Sequence, residues 1–339
     1  MAKILFIGSA NMDKTLYLKT EHPDELTQEC LNEIAKVAKL LGGKGANQAR
    51  ATKLQSTNDE IYFVGCVGDD DNGRSIITEL TNVGVNTKGI KVLDKFKTDG
   101  RIITVDKNGD NKMMGYGDCI KQLTPEMIDP ELLESSDIVA IQMKMPEETV
   151  KYVIEYCRKH KKPLVIDPTP LEKTAILMKN NQELLNAATY LTPNEEEAFA
   201  LIGYMEGKDS ATIKREFKET PEDERLKMIE KFVGKFPNVV ATIGKHGVIY
   251  NNNGTVVKKA TYPTVCKDST GAGDTFNGAF IASMARGEKL PESVDYGLLV
   301  SSMKVRYEGA QEGVPTYEEA KKEKARLKAK TTDDGDGGR

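Results

Sequence analysis

The chain contains no tryptophan, and aromatic residues make up only 6% of its 339 residues. This scarcity argues against a surface that stacks nucleic-acid bases on aromatic rings. Positive charge is not in excess either, because 48 Lys and Arg stand against 52 Asp and Glu and leave a net charge of −4 at pH 7. A protein without a basic surplus is not expected to hold a polyanion, so nucleic acid is not an expected partner.

Cysteine is sparse, and long apolar runs are missing. The five cysteines are widely spaced and form no C-x-x-C pair: Cys30, Cys66, Cys119, Cys157 and Cys266. An odd number at such spacing predicts neither a disulfide framework nor a zinc site and fits a reducing compartment. No segment approaches the roughly 18 apolar residues of a membrane span, and the N-terminus lacks the basic start of a secretion signal. We therefore expect a cytoplasmic protein that has no membrane partner.

Short apolar segments alternate with helical patterns through most of the chain. The predicted strands are Ile4–Ile7, Ile61–Val67, Asp137–Gln142, Pro163–Asp167, Tyr190–Thr192 and Val239–Ile243. The predicted helices are Gly45–Leu54, Gly73–Val83, Glu147–Lys161, Glu195–Ile202 and Glu224–Phe236. Alternation of this kind predicts an α/β fold with a mainly parallel sheet, and the continuous apolar strands predict that helices cover both of its faces.

Four segments depart from this rhythm. Thr15–Leu41 and Thr98–Gly117 look extended or irregular, and the second contains an Asn-Gly turn that predicts a hairpin. Such insertions could form a small sheet over the mouth of the main domain. Tyr204–Asp223 is highly charged and is expected to be a solvated excursion. Residues 326–339 are poor in apolar side chains and are expected to be a disordered tail.

The glycine-rich segment Asp268-Ser-Thr-Gly-Ala-Gly-Asp-Thr-Phe276 carries the strongest chemical signal. Its glycines permit a sharp turn, and the apolar pattern that follows predicts a helix whose first amides are free to bind an anion. Asp274 would lie in the first turn, where a carboxylate could accept a proton from a hydroxyl beside a transferring phosphoryl group. The structural alternative is a glycine turn with an acid that caps the helix.

Two further segments near the N-terminus could bind a small polar ligand. Gly42-Gly-Lys-Gly-Ala-Asn-Gln-Ala49 leads into a helix, but it lacks the spacing of a P-loop. Lys44 and Asn47 would add donors there, unless the segment is only a turn. Asn11 and Asp13 follow the first strand, and ligands bind beyond the carboxyl ends of parallel strands. An Asx turn is the structural alternative for this pair.

Two segments in the second half could hold a nucleotide. In Thr192-Pro-Asn-Glu-Glu-Glu197, Asn194 and Glu197 lie one helical turn apart and could orient hydrated Mg²⁺ and phosphate. The same spacing is close to a capping box, which is the structural alternative. In Thr242-Ile-Gly-Lys-His-Gly-Val248, Thr242 and the amides from Gly244 to Gly247 could contact phosphates, or the segment could be a tight β-turn.

In order and spacing these five motifs resemble the PfkB carbohydrate-kinase family, and the similarity runs from about Lys3 to about Pro315. The form Gly-Gly-Lys-Gly-Ala-Asn-Gln resembles the branch that phosphorylates ribose. The resemblance implies a doubly wound, Rossmann-like α/β domain over residues 1–325, with a β lid from about 14–41 and 98–117. It also implies ATP-dependent transfer of the γ-phosphate to the 5-hydroxyl of D-ribose, Mg²⁺ and K⁺ as metal ions, and a homodimer formed through the lid.

The resemblance assigns roles to individual residues. Asp274 would be the general base that also contacts the sugar, and the anion hole would consist of Gly271, Ala272 and Gly273. The sugar would be held by Asn11, Asp13, Gly43, Lys44 and Asn47. The nucleotide would be held by Asn194, Thr242, Gly244, Gly247 and Gly273, with Glu197 supporting Mg²⁺. Potassium would be bound by Asp268, Thr270, Lys304, Tyr307 and Gly309, mostly through backbone carbonyls, with Gly313 where a serine often adds a ligand.

Two departures from the family pattern leave the substrate open. Lys144 stands where the ribose-phosphorylating members usually carry a glutamate that binds the sugar. Either Lys144 points away, or the sugar preference has changed, or the substrate is phosphorylated or acidic. Leu298 replaces a polar residue common near the adenine, which bears on nucleotide preference. The rival hypotheses are a related kinase for deoxyribose, a ketohexose or a nucleoside, and a non-catalytic sugar or nucleotide binder. A dinucleotide dehydrogenase is disfavoured because G-x-G-x-x-G is absent.

Overall fold

A parallel six-stranded sheet forms the centre of the computed structural model, which describes residues 1–21, 34–108, 111–180 and 187–333. Its strands are β1 Lys3–Ile7, β4 Glu60–Gly68, β5 Asn86–Leu93, β8 Ile138–Gln142, β9 Leu164–Asp167 and β10 Tyr190–Leu191. They lie in the order β10-β9-β8-β1-β4-β5, and every neighbouring pair is parallel. From β1 the chain adds strands first on one side, β4 and β5, and then on the other side, β8, β9 and β10. This strand order is that of a doubly wound fold, as predicted.

Helices cover both faces of this sheet. The helices of the described residues are α1 Lys44–Leu54, α2 Asp71–Asn82, α3 Pro130–Ser135, α4 Glu147–Lys159, α5 Leu171–Asn180, α6 Glu195–Met205, α7 Ser210–Glu219, α8 Glu222–Lys235, α9 Ala272–Ala285, α10 Leu290–Lys304 and α11 Tyr317–Asp333. Of these, α7 packs on α6 and α11 packs on α10. Short 3₁₀ turns occur at Ile120–Gln122, Pro125–Met127 and Gly244–His246. The predicted strands and helices are confirmed, with ends that differ by a few residues.

The alternation of side chains along β1 divides the core in two. Leu5 and Ile7 join a cluster with α4 and α8, whereas Ile4 and Phe6 join a cluster with α1, α2, α9 and α10. Successive side chains of a strand point to opposite faces, so one apolar strand supplies both clusters. Each fully buried aliphatic or aromatic side chain of this kind contributes roughly 1.5–3 kcal/mol to folding.

A separate four-stranded sheet is built from the two segments predicted to form a lid. Its strands are β2 Asn11–Leu18, β3 Ile34–Gly42, β6 Gly100–Val105 and β7 Asn111–Tyr116, in the order β3-β2-β6-β7. The predicted hairpin is the antiparallel pair β6–β7. We call these four strands the lid sheet. Residues 22–33 of the predicted lid, and 109–110 at the hairpin tip, lie outside the described residues.

A three-stranded antiparallel sheet follows β10 at the far edge of the main sheet. It consists of β11 Val240–Thr242, β12 Val248–Asn252 and β13 Thr255–Lys259. Single parallel bridges join Leu191 to Val239 and Asn194 to Thr242. These bridges place the start of α6 beside the end of β11, so two motifs predicted to contact a nucleotide become neighbours.

Two charged segments contain helix. Tyr204–Asp223, expected to be a solvated excursion, is largely exposed, and its residues Ser210–Glu219 form α7, in which Ile213 is buried against Phe199 of α6. The disordered tail was predicted to begin at 326, but α11 continues to Asp333; residues 334–339 lie outside the described residues. Across the described ranges, no helix is long and apolar enough to cross a membrane.

Close packing of α1 against α9 positions the side chains of the site. A Cβ at Gly278 would lie 2.5 Å from Cβ of Ala51 and 2.8 Å from N of Thr52, so only glycine allows the two helices to approach this closely. The hydroxyl of Thr52 donates to the carbonyl of Gly278 at 3.1 Å. The same packing brings the first turns of both helices together, where Nδ2 of Asn47 donates to Oδ2 of Asp274 at 2.8 Å.

Candidate active site

A cleft opens at the carboxyl ends of β9, β10 and β11, and ligands bind beyond the carboxyl ends of parallel strands. Its lining is Lys44, Asp167, Thr192, Asn194, Glu197, Thr242, Ser269, Gly271, Gly273, Asp274 and Asn277. Residues predicted from separate motifs are thus brought to one place by the fold.

Asp274 lies in the first turn of α9 and is held by two amides of α1. Nδ2 of Asn47 donates to its Oδ2 at 2.8 Å, and Nε2 of Gln48 donates to its Oδ1 at 3.1 Å. Burial raises the pKa of Asp274 to about 6, although nearby Lys44 and the two amides favour the ionised form. A carboxylate with a pKa close to the operating pH is suited to accept a proton from a hydroxyl.

The turn before Asp274 presents backbone rather than side chains. Gly271 is the N-cap of α9 with φ 76°, and no side chain caps the helix. A Cβ at Gly271 would lie 2.2 Å from the carbonyl oxygen of Ala310, so this position requires glycine in both conformation and space. The amide of Ala272 donates to Ser269 O at 3.0 Å. Gly273 lines the cleft directly, and the positive end of the α9 dipole favours an anion there.

Lys44 and Glu197, predicted to contact the sugar and Mg²⁺ respectively, form an ion pair with each other. Nζ of Lys44 lies 2.6 Å from Oε1 of Glu197 and 2.9 Å from Oδ1 of Asp167, and it also donates to the hydroxyl of Thr169 at 2.9 Å. Although burial opposes it, the carboxylates of Asp167, Glu197 and Asp274 raise the pKa of Lys44 above its ordinary value. Lys44 therefore keeps its charge in the centre of the cleft.

Asn194 and Glu197 form the capping box that was the structural alternative. Oδ1 of Asn194 accepts from the Glu197 amide at 2.8 Å, and Oε2 of Glu197 accepts from the Asn194 amide at 3.0 Å. Across the described part of the chain, no group of three or more His, Cys, Asp or Glu could by itself hold a metal ion. The lining carboxylates Glu197 and Asp167 nevertheless suit Mg²⁺, which typically takes one or two carboxylates and completes its shell with water and substrate phosphates.

Thr242 lies beside this capping box, and its amide donates to Pro193 O at 3.0 Å. The segment behind it, Gly244–His246, is a 3₁₀ turn that ends at Gly247. Gly247 packs against the backbone of Lys259, where a Cβ would lie 1.9 Å from the carbonyl oxygen. Thr242 therefore lines the cleft, whereas the two glycines shape the turn behind it.

Asn11 and Asp13 lie on β2, the first strand of the lid sheet, and not in an Asx turn. Among the described buried side-chain atoms, Oδ1 of Asn11 and Oδ1 of Asp13 have no hydrogen-bond partner. Burial raises the pKa of Asp13, and nearby Arg101 opposes that shift. Gly43 lies against the backbone of Ser9 and Ala10, which brings the glycine-rich segment next to this pair. Unpaired buried acceptors are costly, so these two oxygens are suited to ligand hydroxyl donors.

Lys144 lies near this polar pair and faces an acid that the sequence did not single out. Its Nζ is 4.0 Å from Oδ2 of Asp99, and 38% of its side chain is exposed. Burial lowers the pKa of Lys144, although Asp99 and Asp13 oppose the shift. Asp99 is buried and accepts from the amide of Cys119 at 2.8 Å. The position of the usual glutamate thus carries a cation paired with a buried carboxylate.

The residues predicted to bind potassium lie together at the C-terminal end of α10, and the ammonium group of Lys304 lies among them. Nζ of Lys304 donates to the carbonyl oxygens of Thr270 and Asp268. The Asp268 carboxylate accepts from the amides of Thr270 at 2.8 Å and Gly309 at 2.7 Å. A Cβ at Gly313 would lie 2.1 Å from the Tyr307 ring, so a serine hydroxyl cannot be added there without moving the ring.

Several functional candidates were missed by the sequence reasoning. Gln48 donates to both Asp167 and Asp274, and Gln311 donates from Nε2 to Oδ1 of Asn47 at 2.8 Å. The bond from Gln311 fixes which way the Asn47 amide faces, so its NH₂ group points to Asp274. Asp167 ends the buried strand β9, and that position at the carboxyl edge of a parallel sheet was a signal that could have identified it.

Comparison with known proteins identifies the family. Residues 1–317 match the pfkB family carbohydrate kinase. The chain is 32% identical to a ribokinase of Bacillus subtilis (strain 168), over 94% of this chain and 98% of the relative. It is 26% identical to a deoxyribokinase of Salmonella typhi, over 82% of this chain and 85% of the relative.

Solved structures show the same fold. A ribokinase from Thermotoga maritima superposes with a TM-score of 0.76 at 29% identity, covering 95% of this chain and 99% of that chain. A ribokinase from Arabidopsis thaliana, solved as a complex with ribose and ATP, superposes with a TM-score of 0.75 at 22% identity, covering 95% of this chain and 98% of that chain.

Proposed function

The chain belongs to the PfkB family of carbohydrate kinases, and from that premise we propose that it transfers the γ-phosphate of ATP to the 5-hydroxyl of D-ribose. The products would be ribose 5-phosphate and ADP. The observation that carries this proposal is the carboxylate of Asp274, held by two amides at the start of α9 beside a glycine turn. Several of its relatives are ribokinases, which supports ribose as the sugar.

In this proposal the sugar lies between the lid sheet and the first turn of α9. The unpaired oxygens of Asn11 and Asp13 would accept from sugar hydroxyls, which removes the cost of leaving them unpaired. Asp274 would accept the proton of the reacting hydroxyl as that oxygen attacks the γ-phosphorus. The lid sheet would exclude water and so suppress hydrolysis of ATP.

The nucleotide would lie along the other side of the cleft. Asn194 and Thr242 line that side, and the α9 N-terminus with Gly271, Ala272 and Gly273 would face the transferring phosphoryl group. Lys44 would stabilise negative charge nearby, because three carboxylates keep it protonated. Glu197 and Asp167 would hold Mg²⁺ through water or phosphate, and the ion would neutralise charge on the nucleotide.

The assembly and location are also proposals. Exposed apolar side chains on the lid sheet, among them Val37, Met113 and Met114, support a homodimer formed through it. The absence of a spanning helix in the described ranges is compatible with the cytoplasmic location expected from the sequence.

The function is tested by ADP release with D-ribose, deoxyribose, fructose and adenosine. We expect ribose to give the highest kcat/KM, and Asp274→Asn to lower kcat by at least about 10²-fold while ATP binding measured by calorimetry is kept. Asp71→Asn is the matched control, because Asp71 is also an acid in the first turn of a helix but lies outside the cleft.

Three outcomes would contradict parts of the proposal. Near-normal kcat in Asp274→Asn would remove this residue from the role of base. Highest kcat/KM with deoxyribose would favour the activity named for the Salmonella relative. Calorimetric binding of ribose without any ADP release would favour a non-catalytic binder.

A further inference from the structure

Lys304, the last residue of α10, is a fully buried lysine. Lysine is almost never fully buried unless its charge has a partner. Here the partners are backbone oxygens, because Nζ donates to the carbonyls of Thr270 and of Asp268, the latter at 3.4 Å. Both carbonyls belong to the loop that leads into the N-cap of α9.

These two residues are part of the set that the family resemblance assigned to a potassium ion. The ammonium group of Lys304 already points its hydrogens at their oxygens, and it carries the same single positive charge. Nζ of Lys304 donates to both oxygens, and acceptor oxygens favour the protonated form of an amine.

Two further groups of that set are also engaged within the chain. Both oxygens of the Asp268 carboxylate accept backbone amides, and the Lys304 carbonyl accepts the amide of Tyr307 at 3.0 Å. Gly313 offers no hydroxyl, and the Tyr307 ring occupies the space in which one would be placed. A cation held by lysine needs no such extra ligand.

We propose that Lys304 is a tethered cation that takes the place of a potassium ion, so the enzyme works without monovalent-cation activation. Its ammonium group anchors the Thr270 carbonyl, and the next residue, Gly271, is the N-cap of α9. The charge thereby fixes the loop whose amides face the phosphoryl group. The rate measurements that test this inference rest on the proposed kinase function, whereas the measurements of Tm in different salts do not.

The first test uses the wild-type protein. Initial rates of ADP release are measured with ribose and Mg-ATP in potassium, sodium and choline chloride at equal ionic strength. We expect equal rates in the three salts. Thermal unfolding in the same salts is expected to give equal Tm values, because an ion that binds only the folded state would raise Tm.

The second test creates a need for the ion. Lys304→Ala removes the ammonium group and leaves space, so we expect kcat to fall about 10–100-fold in choline chloride, the usual effect of losing a group that supports a charged site. Potassium should restore part of that rate. Lys304→Met removes the charge but fills the space, so its rate should fall without rescue. Lys267→Ala is the control, because Lys267 is an exposed neighbour that pairs with Glu308 at 3.1 Å.

A wild-type rate or Tm that rises specifically with potassium would overturn the proposal. A Lys304→Ala variant that folds but gains nothing from potassium would also overturn it. If both Lys304 variants fail to fold, the wild-type rates and Tm values still decide. If no sugar supports ADP release, the kinase proposal fails, and the Tm comparison alone decides whether potassium binds.

Discussion

The carboxylate of Asp274 lies between a cation and two side-chain amides, and this surrounding sets the pH range in which it could act. Burial raises its pKa to about 6, whereas Lys44, Asn47 and Gln48 oppose the shift. Gln311 acts one step further away through Asn47. Residues from two distant segments of the chain, 44–48 and the loop that contains Gln311, thus influence the proton of Asp274.

The pH dependence of the reaction follows from this pKa. A general base accepts a proton only when it is ionised, so kcat/KM should fall as the pH drops through about 6. Lys44→Met removes a charge that lowers the Asp274 pKa, so the decline should begin at a higher pH in that variant. The measurement is kcat/KM for ribose against pH; a flat profile from about pH 5 to pH 8 would contradict Asp274 as the base.

A variant of Lys144 can distinguish the alternatives for the substrate that the sequence leaves open. Its Nζ lies near Asp99, and its charge interacts with Asp13 of the lid sheet, so it borders the proposed sugar site. If it donates to the sugar equally in the ground and transition states, Lys144→Met should raise KM for ribose about tenfold with little change in kcat.

Lys121→Met is the control for that variant, because Lys121 is an exposed cation on the same side that pairs with Asp118 at 2.6 Å. An unchanged KM in Lys144→Met would mean that Lys144 points away from the sugar. If the wild type is more active with a phosphorylated or acidic sugar than with ribose, the natural substrate is of that class.

At the scale of elements, the site depends on how α1 and α9 begin. Both helices start at a glycine with positive φ, Gly43 at 87° and Gly271 at 76°, and their first turns converge because Gly278 lets the helices pack closely. Helix capping without a side chain leaves the first turn of α9 open to a ligand.

Gly271→Ala tests this requirement. The substitution adds left-handed strain and a Cβ 2.2 Å from the Ala310 carbonyl oxygen. Gly254→Ala is a matched control, since Gly254 has φ 91° and open space around it. We expect the control to lose about 1–2 kcal/mol of unfolding free energy in urea and to keep its kcat. Gly271→Ala should lose more stability and most of its kcat; equal losses in the two variants would mean that the contact with Ala310 is unimportant.

At the scale of the whole molecule, the lid sheet leaves an apolar surface exposed. Val37 and Met114 are 50% and 60% exposed. The strand register places them on one face of the sheet. Val37 pairs with Leu16 of β2, and Met114 pairs with Ile102, which in turn pairs with Lys14 of β2. Lys14 and Leu16 are two residues apart on one strand, so their side chains and those of their partners point to the same face. Such a surface is typical of a protein interface.

The predicted homodimer can be tested by light scattering after size-exclusion chromatography. The wild type should have twice the mass of one chain, and Met114→Glu should shift the mass toward that of the monomer because a charge would be buried in the interface. Val92→Glu is the control, because Val92 is similarly exposed at 52% but lies on β5 of the main sheet. A monomeric wild type would contradict the dimer.

Local sequence patterns were sufficient to predict the α/β alternation, the glycine turn before Asp274 and the family. These follow from local patterns, because apolar periodicity and glycine placement act over a few neighbouring residues. The helical form of the charged segment before α8 was not predicted, because the one buried residue of α7, Ile213, packs against Phe199 of the preceding helix and leaves a weak apolar pattern.

Which polar side chains meet depends on the folded chain and could not be predicted from local patterns. The pairing of Lys44 with Asp167 and Glu197 joins residues more than a hundred positions apart, and the bond from Lys304 to Thr270 joins α10 to the loop before α9. Such contacts depend on which strand ends and helix ends the fold brings together. Local sequence patterns do not indicate which residues that are distant in the chain become neighbours in space. The position of the Lys304 ammonium group beside the Thr270 carbonyl therefore follows from the tertiary structure and not from the sequence pattern.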